Sequence, residues 1–588
     1  MGKSSDAMHV ATVISRRMNK DGLEREYRSH LVRRTFREDG KVKHQTLANI
    51  SALPAGAIEV IRASLRGEQL LPAGHLMQIT RSVPHGHVAA VWAMAKTLDL
   101  GALLGPAGRH RDLALALIIA RVVRPGSKLA TMSWWADTTL GADLDISGAT
   151  SDEVYAAMDW LQGRQDAIEK KLAGRHLADE LVNPQKMAMF DLSSSWMEGT
   201  HCPLAKRGYS RDGKKNRPQI EYGLLTDPVG RPVAIRVFAG NTADPTAFKT
   251  AVTIVKDTFK LDKMVMVGDR GMITSARIKA LREDTDLGWL SALRAPAIQK
   301  LAADSGPLQM TLFDEQDLAE ISHPDYKGER LIACRNPALA KSRHHKRQEL
   351  LAATETTLAP IVEAVVAGRL TGADQIGLKV GKLIDKYKMA KHFNIRIDDH
   401  RLQIERDTAK IEAEAALDGI YVIRTSVHTD TLDAAGVVEA YKNLSRVERD
   451  FRTIKVDDLD LRPVFHRLED RVRGHVLICM LAAYLTWHLR QAWAPLTFTD
   501  EHRPERTNPV APATRSETAE QKTSRRKNAD NQPVRSFRAL LDHLATLTRN
   551  DVAIAGSETT IAMLAEPTPD QRQAFELLGQ PIPVNLRK

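Results

Sequence analysis

Two aspartates, Asp191 and Asp269, each follow a short run of apolar residues. The segment 187–191 reads MAMFD, and the segment 264–272 reads MVMVGDRGM. Short apolar runs bounded by turn signals are typical of buried strands. The carboxyl ends of such strands are where open α/β sheets place their ligand sites. An aspartate there can also simply begin a turn, but two of them predict a pair of carboxylates at one edge of a sheet.

A third acid, Glu448, lies in the segment 437–455, which reads VVEAYKNLSRVERDFRTIK. Spacings of four and three place six of its side chains on one stripe of a helix, namely Val437, Tyr441, Leu444, Glu448, Phe451 and Lys455. A carboxylate beside an apolar stripe needs a partner. Glu448 and Lys455 can form an edge pair two turns apart, or Glu448 can join the two aspartates. We favour the second interpretation because two strand-end carboxylates are already predicted.

Carboxylates that lie close together repel each other, and they stay ionised when a cation lies between them. Oxygen ligands favour Mg²⁺ or Mn²⁺. The sequence therefore predicts a metal site formed by Asp191, Asp269 and Glu448.

Five motifs follow one another along the chain: MFDLSSSW, GYSRDGKKNRPQIEYGLL, GNTADP, VGDRGM and YKNLSRVERDFRTIK. The ordered set resembles bacterial insertion-sequence transposases of the DDE type, in the branch whose RNase H-like core carries an insertion before the glutamate helix. The resemblance covers residues 185–490. It implies that Asp191, Asp269 and Glu448 are the catalytic and metal-binding triad, with two Mg²⁺ or Mn²⁺ ions.

The resemblance also implies contacts between the glutamate helix and DNA. Tyr441 and Lys455 match family positions, whereas Leu444 stands where the family carries an arginine. We expect Arg446 or Arg452 to take over that phosphate contact. Arg270, next to Asp269, either contacts DNA or pairs with a carboxylate.

A basic segment, residues 206–217, separates the first two strands of the predicted core. Its cationic residues are Lys206, Arg207, Arg211, Lys214, Lys215 and Arg217, against a single acid, Asp212. A loop of this charge at the edge of the site suits phosphate contact. The alternative is a solvated loop.

The implied activity is that of a DNA transposase. It would bind the terminal inverted repeats of its element, cleave DNA at the element ends and join the 3′-hydroxyl ends to target DNA by metal-dependent transesterification. Such exchange needs no ATP, and the sequence has no GxxxxGK phosphate loop. Two ends must be paired, so we expect a homodimer. The alternatives are another RNase H-like nuclease, such as a resolvase, and a non-catalytic DNA-binding derivative of a transposase.

The predicted fold is α/β, an RNase H-like core interrupted by a mixed α+β insertion, with N-terminal DNA-binding and helical modules and a small C-terminal module. The predicted boundaries are 1–108 for the N-terminal module, 109–180 for a helical domain, 181–295 for the first part of the core, 296–431 for the insertion, 432–496 for the glutamate helix region, 497–535 for a flexible linker and 536–588 for the C-terminal module. Within the first module, Asp39-Gly40 predicts the turn of a hairpin. Its many arginines and lysines form either a solvated face or a DNA-contacting one.

The composition agrees with a nucleic-acid partner only weakly. The net charge is +11, and the 588 residues predict three or more domains. Three cysteines far apart argue against zinc sites and disulfides and fit a cytoplasmic, nucleoid-associated protein. The longest apolar run, 476–487, is too short to span a bilayer, so it predicts a buried helix.

Overall fold

The computed structural model of the protein describes residues 7–18, 24–38, 40–68, 77–198, 201–214, 216–284, 286–303, 306–314, 316–504, 508–528, 530–554 and 559–587. These residues form a mixed α/β structure, which confirms the predicted class. The chain divides into two compact units. One comprises Met1–Ser82 with Asn550–Met563, and the other comprises Val83–Arg549 with Leu564–Lys588.

The elements have the following bounds. The strands are β1 Ala7–Met18, β2 Glu24–Glu38, β3 Lys41–Asn49, β4 Met77–Pro84, β5 Met187–Trp196, β6 Gln219–Thr226, β7 Pro232–Ala239, β8 Val265–Gly268, β9 Gly288–Ala292, β10 Leu318–Ile321, β11 Arg330–Arg335, β12 Phe393–Asp398, β13 Arg401–Arg406, β14 Ile420–Thr425, β15 Thr548–Ile554 and β16 Thr560–Leu564. The α-helices are α1 Ala55–Leu65, α2 Gly86–Thr97, α3 Leu100–Leu104, α4 Arg109–Val123, α5 Lys128–Ala136, α6 Thr139–Asp143, α7 Ser151–Gln162, α8 Gln165–Ala173, α9 Asp244–Thr253, α10 Ser275–Asp284, α11 Ala295–Leu301, α12 Pro337–Val366, α13 Ala373–Ile384, α14 Thr408–Ala415, α15 Ala434–Lys442, α16 Leu444–Arg452, α17 Glu469–Ala492, α18 Glu517–Arg525, α19 Phe537–Ala545 and α20 Pro569–Glu576.

The first unit contains an antiparallel sheet in the order β1-β2-β3. The predicted hairpin between β2 and β3 is confirmed. Gly40 has a φ of 74°, a left-handed conformation that glycine adopts without steric cost. Asp39, the other predicted turn residue, lies outside the described residues.

The second unit contains an eight-stranded sheet in the order β10-β11-β14-β9-β8-β5-β6-β7. The strand β5 pairs in parallel with β8, and β8 pairs in parallel with β9, whereas the other neighbours are antiparallel. Three strands of the predicted insertion, β10, β11 and β14, extend the same sheet as the predicted core. The helices α12 and α13 and the hairpin β12–β13 share a separate apolar cluster.

The helix α17 is the centre of the main core, because it packs against α2, α4, α7 and β7. Within the described residues it is the one helix long and apolar enough to cross a membrane, and 83% of its most apolar window is buried inside the protein. The predicted buried helix is therefore confirmed, with wider bounds.

The predicted linker 497–535 contains the helix α18. Ser516 caps the helix by accepting a hydrogen bond from the backbone N–H of Ala519. Lys522 is buried, and its ammonium group donates to the carbonyl oxygens of Ala494 and Thr499. A polar composition predicted a flexible chain here, but capping and one buried cation give this segment a fixed helix.

A buried carboxylate joins the helical region to the sheet. Glu169 of α8 accepts a hydrogen bond from the backbone N–H of Ile235 at 3.0 Å and pairs with Arg236 of β7. Asp166 pairs with the same guanidinium at 2.6 Å, but its side chain is 74% exposed whereas that of Glu169 is fully buried. The two ion pairs share Arg236 but differ in the burial of their carboxylates.

We expect Glu169→Ala to lower the free energy of unfolding by about 3–5 kcal/mol, because it leaves the half-buried Arg236 and a buried backbone N–H without their partner. The control Asp166→Ala should cost less than about 1 kcal/mol, since exposed pairs contribute little. Urea unfolding of both variants tests this. Equal losses would show that burial does not govern this junction.

Candidate active site

The register of two parallel strands brings the predicted aspartates together. Phe190 of β5 lies opposite Gly268 of β8, so the next residue in each chain is an aspartate, Asp191 or Asp269. The prediction that β5 ends at Asp191 was wrong, because β5 continues to Trp196 in its antiparallel pairing with β6. Only the parallel pairing of β5 with β8 ends at this point, with Phe190 opposite Gly268. Both aspartates line one large cavity of about 2590 Å³.

Glu448 reaches the same cavity from the helix α16. Val447 and Phe451 of this helix are buried, and α16 packs against β5 and β6. The side chain of Phe451 lies edge-on to that of Tyr222 in β6, with ring centroids 5.7 Å apart. The predicted continuous helix over 437–455 is instead α15, α16 and a π-helical turn, Thr453–Asp457.

The three carboxylates interact electrostatically. The pKa of Asp191 is raised to about 7, chiefly by burial and also by the nearby charges of Glu448 and Asp269, against a backbone hydrogen bond from Leu192 and the charge of Arg211. Burial also raises the pKa of Tyr441, with Asp269, Asp191 and Glu448 adding to the effect. The structure therefore places the predicted triad and Tyr441 in one electrostatic environment.

The donor set fits a hard divalent cation. Its oxygens come from carboxylates alone, and the charges of Glu448 and Asp269 add to the effect of burial in raising the pKa of Asp191. Asp269 and Glu448 are exposed at the cavity wall. Among the described residues, no three His, Cys, Asp or Glu side chains already stand in metal-coordinating positions.

Arg211 connects the site to two further carboxylates. Its Nη2 donates to Asp244 Oδ1 at 2.6 Å, and its Nη1 lies 3.5 Å from Glu221 Oε1. An aspartate directly before a proline is typical of a helix N-cap, but α9 begins at Asp244 itself and its N-cap is Ala243. Instead of capping the helix, the carboxylate of Asp244 forms an ion pair with Arg211, whose side chain is only partly exposed.

Gly271 lies between two carboxylates. A Cβ atom at this position would stand 3.5 Å from Asp244 Oδ2 and 3.6 Å from Asp269 Oδ2. Asp244 therefore lies at the edge of the acidic site. Its sequence context, directly before a proline, did not predict this location.

The predicted DNA contacts fall into two groups. Arg211, Arg270 and Tyr441 line the cavity together with the triad. The others do not line it, namely Lys206, Arg207, Lys214, Arg217, Arg452 and Lys455. Lys215 lies outside the described residues. The two residues that we expected to replace the missing arginine differ, because Arg446 lines the cavity and Arg452 is exposed elsewhere.

Lys455 occupies a buried ion pair. Its Nζ donates to Asp212 Oδ1 at 2.8 Å, and Arg462 Nη1 lies 2.5 Å from the same oxygen. The side chains of Asp212 and Lys455 are 2% and 10% exposed. Burial lowers the pKa of Lys455, while the bond to Asp212 raises it. This pair ties the basic loop to the turn that follows the glutamate helix.

Basic side chains dominate the cavity wall, with fourteen Lys and Arg against eight Asp and Glu. Within the described part of the chain, six of the fourteen make no ion pair, namely Arg270, Arg343, Lys346, Arg449, Arg503 and Arg515. Of these six, only Arg270 was predicted from the sequence as a site residue. Arg343 and Lys346 lie in the charged stretch SRHHKRQE of α12, and Arg503 and Arg515 lie in the segment 497–535. Arg449 directly follows Glu448 in the sequence. An excess of unpaired cations around a carboxylate cluster suits a polyanionic ligand.

The sequence profile of the transposase DDE domain family matches residues 192–485, which is half of the chain. The chain belongs to this family. The matched region begins one residue after Asp191 and contains Asp269 and Glu448. No curated protein matches the chain. Among solved structures, the cryo-electron microscopy structure of the piggyBac transposase synaptic complex with hairpin DNA is similar at 9% identity and a TM-score of 0.31, over 78% of this chain and 76% of that one.

The buried ion pair gives Lys455 a structural role that can be measured. We expect Lys455→Met to lower the free energy of unfolding by about 2–4 kcal/mol, because Asp212 then keeps only Arg462. The matched control is Lys214→Met, which removes an exposed lysine of the loop that carries Asp212 and should cost below about 1 kcal/mol. Unchanged stability combined with weaker DNA binding would instead make Lys455 a DNA contact.

The raised pKa of Asp191 predicts a pH-dependent stability in metal-free protein. The folded state holds the proton more tightly than the unfolded state, so this contribution is present below about pH 4 and is lost as the pH rises through about 7. Asp191→Asn should therefore gain roughly 1–3 kcal/mol over the wild type at pH 8 and nothing at low pH. Urea unfolding in chelator across this range measures the difference. A pH-independent difference would contradict the assigned environment.

Proposed function

We propose that this transposase-family protein binds the terminal inverted repeats of its own insertion sequence, cleaves DNA at the element ends and joins the 3′-hydroxyl ends to target DNA by metal-dependent transesterification. The observation that carries the proposal is the convergence of Asp191, Asp269 and Glu448 on one cavity rich in unpaired basic side chains. A carboxylate triad supplies ligands for a divalent cation, and the surrounding cations suit a phosphate backbone.

The strand arrangement supports an RNase H-like core. The first strand, β5, is central, with antiparallel β6 on one side and parallel β8 on the other. Asp191 lies on β5, and Asp269 directly follows β8. Glu448 lies on α16, which packs against β5. We infer that 181–295 and 432–496 form this core and that 296–431 is an insertion that extends its sheet.

In this proposal Asp191, Asp269 and Glu448 hold two Mg²⁺ or Mn²⁺ ions. Such ions, when bound, stabilise the attacking and leaving oxygens of an in-line phosphoryl displacement. The first displacement breaks a phosphodiester at the element end by attack of water and frees a 3′-hydroxyl. The second uses that hydroxyl to attack a target phosphodiester, so that one P–O bond forms as one breaks. The bond count is conserved, so the joining step needs no ATP.

Other residues position the DNA. Arg270 lies beside the triad and is exposed in the cavity, so it can contact the phosphate that reacts. Arg449 follows Glu448 directly on α16 and lines the same cavity. The phenol of Tyr441 stays neutral because its pKa is raised, so it can donate a hydrogen bond to a phosphate oxygen. Arg211, held by Asp244, orients the acidic edge of the site.

Two element ends must be brought together for joining, which favours a homodimer in a synaptic complex. A substrate of chromosomal DNA favours a cytoplasmic, nucleoid-associated protein.

The triad is tested by strand transfer in Mg²⁺, with DNA that carries the inverted repeats flanking the gene. We expect Asp191→Asn, Asp269→Asn and Glu448→Gln each to slow joining by roughly a thousandfold or more, because several kcal/mol of transition-state stabilisation are lost. The matched control is Glu439→Gln, an exposed acid of α15 on the same cavity, which should stay within a few-fold of wild type.

Two results would contradict this proposal. Wild-type joining by any of the three variants would remove that residue from the triad. Cleavage of branched DNA by the wild type, with no joining of a 3′-end to a target, would identify a resolvase instead.

A further inference from the structure

The N-terminal sheet has two chemically different faces. Directly opposed residues of neighbouring strands share a face, and the register pairs Arg17 with Arg25 and Thr12 with His30. Odd-numbered residues of β1 and β2 therefore lie on one face and even-numbered residues on the other. The helix α1 packs on the even face, where Arg62 Nη2 donates to Thr12 Oγ1 at 3.2 Å.

The acids of β2 and its neighbours all lie on the even face, which carries Glu24, Glu26 and Glu38. There they compensate basic partners. Arg28 Nε donates to Glu26 at 2.9 Å, Arg16 Nε lies 3.6 Å from Glu26, and Lys43 pairs with Glu38. Three acids therefore offset part of the positive charge of this face.

The odd face has the opposite character, and we name it the arginine face after Arg17, Arg25, Arg33 and Arg37. In the described portions of β1, β2 and β3, no acidic residue lies on it, and none of these four arginines makes an ion pair. Arg33 Nε is shielded from solvent and has no hydrogen-bond partner there. Tyr27, on the same face, is 46% exposed.

The arrangement of the arginines is unfavourable without a ligand. Arg17 and Arg25 are directly opposed, and like charges in that position destabilise a sheet. Arg25 and Arg33 stand eight residues apart on β2, which corresponds to about 26 Å at about 3.3 Å per residue. Cations at both ends of a long face, with uncharged side chains between them, suit an extended polyanion more than a single small anion.

We propose that the arginine face docks double-stranded DNA at the element ends, with the sheet against the major groove. A β-ribbon fits this groove, and arginine binds both phosphates and guanine edges. This inference rests on the proposed function for the identity of the DNA. It adds that the basic residues of the arginine face contact that DNA and that those of the even face do not.

The test compares two double variants of the full-length protein. Arg17→Gln/Arg25→Gln removes two charges from the arginine face, and Arg16→Gln/Arg28→Gln removes two from the even face of the same strands. The probe is a fluorescent duplex of the DNA bordering the gene, titrated by anisotropy in chelator at several salt concentrations. We expect the first variant to weaken binding about tenfold and to lower the salt slope by about 2, while the second stays within about twofold of wild type.

Three results would overturn the inference. The first is that both variants bind DNA like the wild type. The second is that both variants bind equally weakly, which would indicate an effect of bulk charge. The third is that the first variant alters only the concentration dependence of self-association, which would make a second copy of the chain the partner. If the first variant unfolds, as judged by circular dichroism, Arg33→Gln/Arg37→Gln tests the other end of the face with the same expected loss. Binding in chelator requires no catalysis, so failed strand transfer by the wild type would refute the proposed function and leave this measurement intact.

Discussion

The parallel pairing of β5 with β8 is the constraint on which the candidate site depends. Because Phe190 lies opposite Gly268, the chain places one aspartate after each partner and so sets two carboxylates side by side. They do not attract each other, and the raised pKa of Asp191 records the cost of their proximity and burial. The backbone ladder and the packed strands hold them in place. A site that is unfavourable in the protein alone is one that a divalent cation would stabilise.

Charge is arranged around this pair in layers. Next to the acids, Arg211 is fixed between Asp244 and Glu221, and Asp212 holds Lys455 and Arg462 in a buried group. These cations are compensated and serve as supports. Farther along the cavity wall, basic side chains such as Arg343, Lys346 and Arg503 have no ionic partner among the described residues. Paired cations thus shape the site, and unpaired cations remain available to a phosphate backbone.

Local patterns were enough to predict much of this architecture. Apolar runs located β5 and β8, turn residues located the hairpin of β2 and β3, and the stripe spacing located Glu448 on a helix. Partners distant in sequence were not predictable. Asp244 stands before a proline, which is typical of a cap, but its carboxylate binds an arginine 33 residues earlier. Lys455 shares a sequence stripe with Glu448, yet the π-helical turn that contains it directs the ammonium into a buried pair.

The most direct test of the account is the location of bound Mn²⁺, measured by anomalous X-ray diffraction from crystals of the wild-type protein grown at a pH above 7. We expect anomalous peaks between the carboxylates of Asp191, Asp269 and Glu448, at oxygen distances of about 2.0–2.2 Å, and their loss in Asp191→Asn. Mn²⁺ bound away from these three side chains, or undiminished binding in that variant, would contradict the claim that they form the catalytic centre.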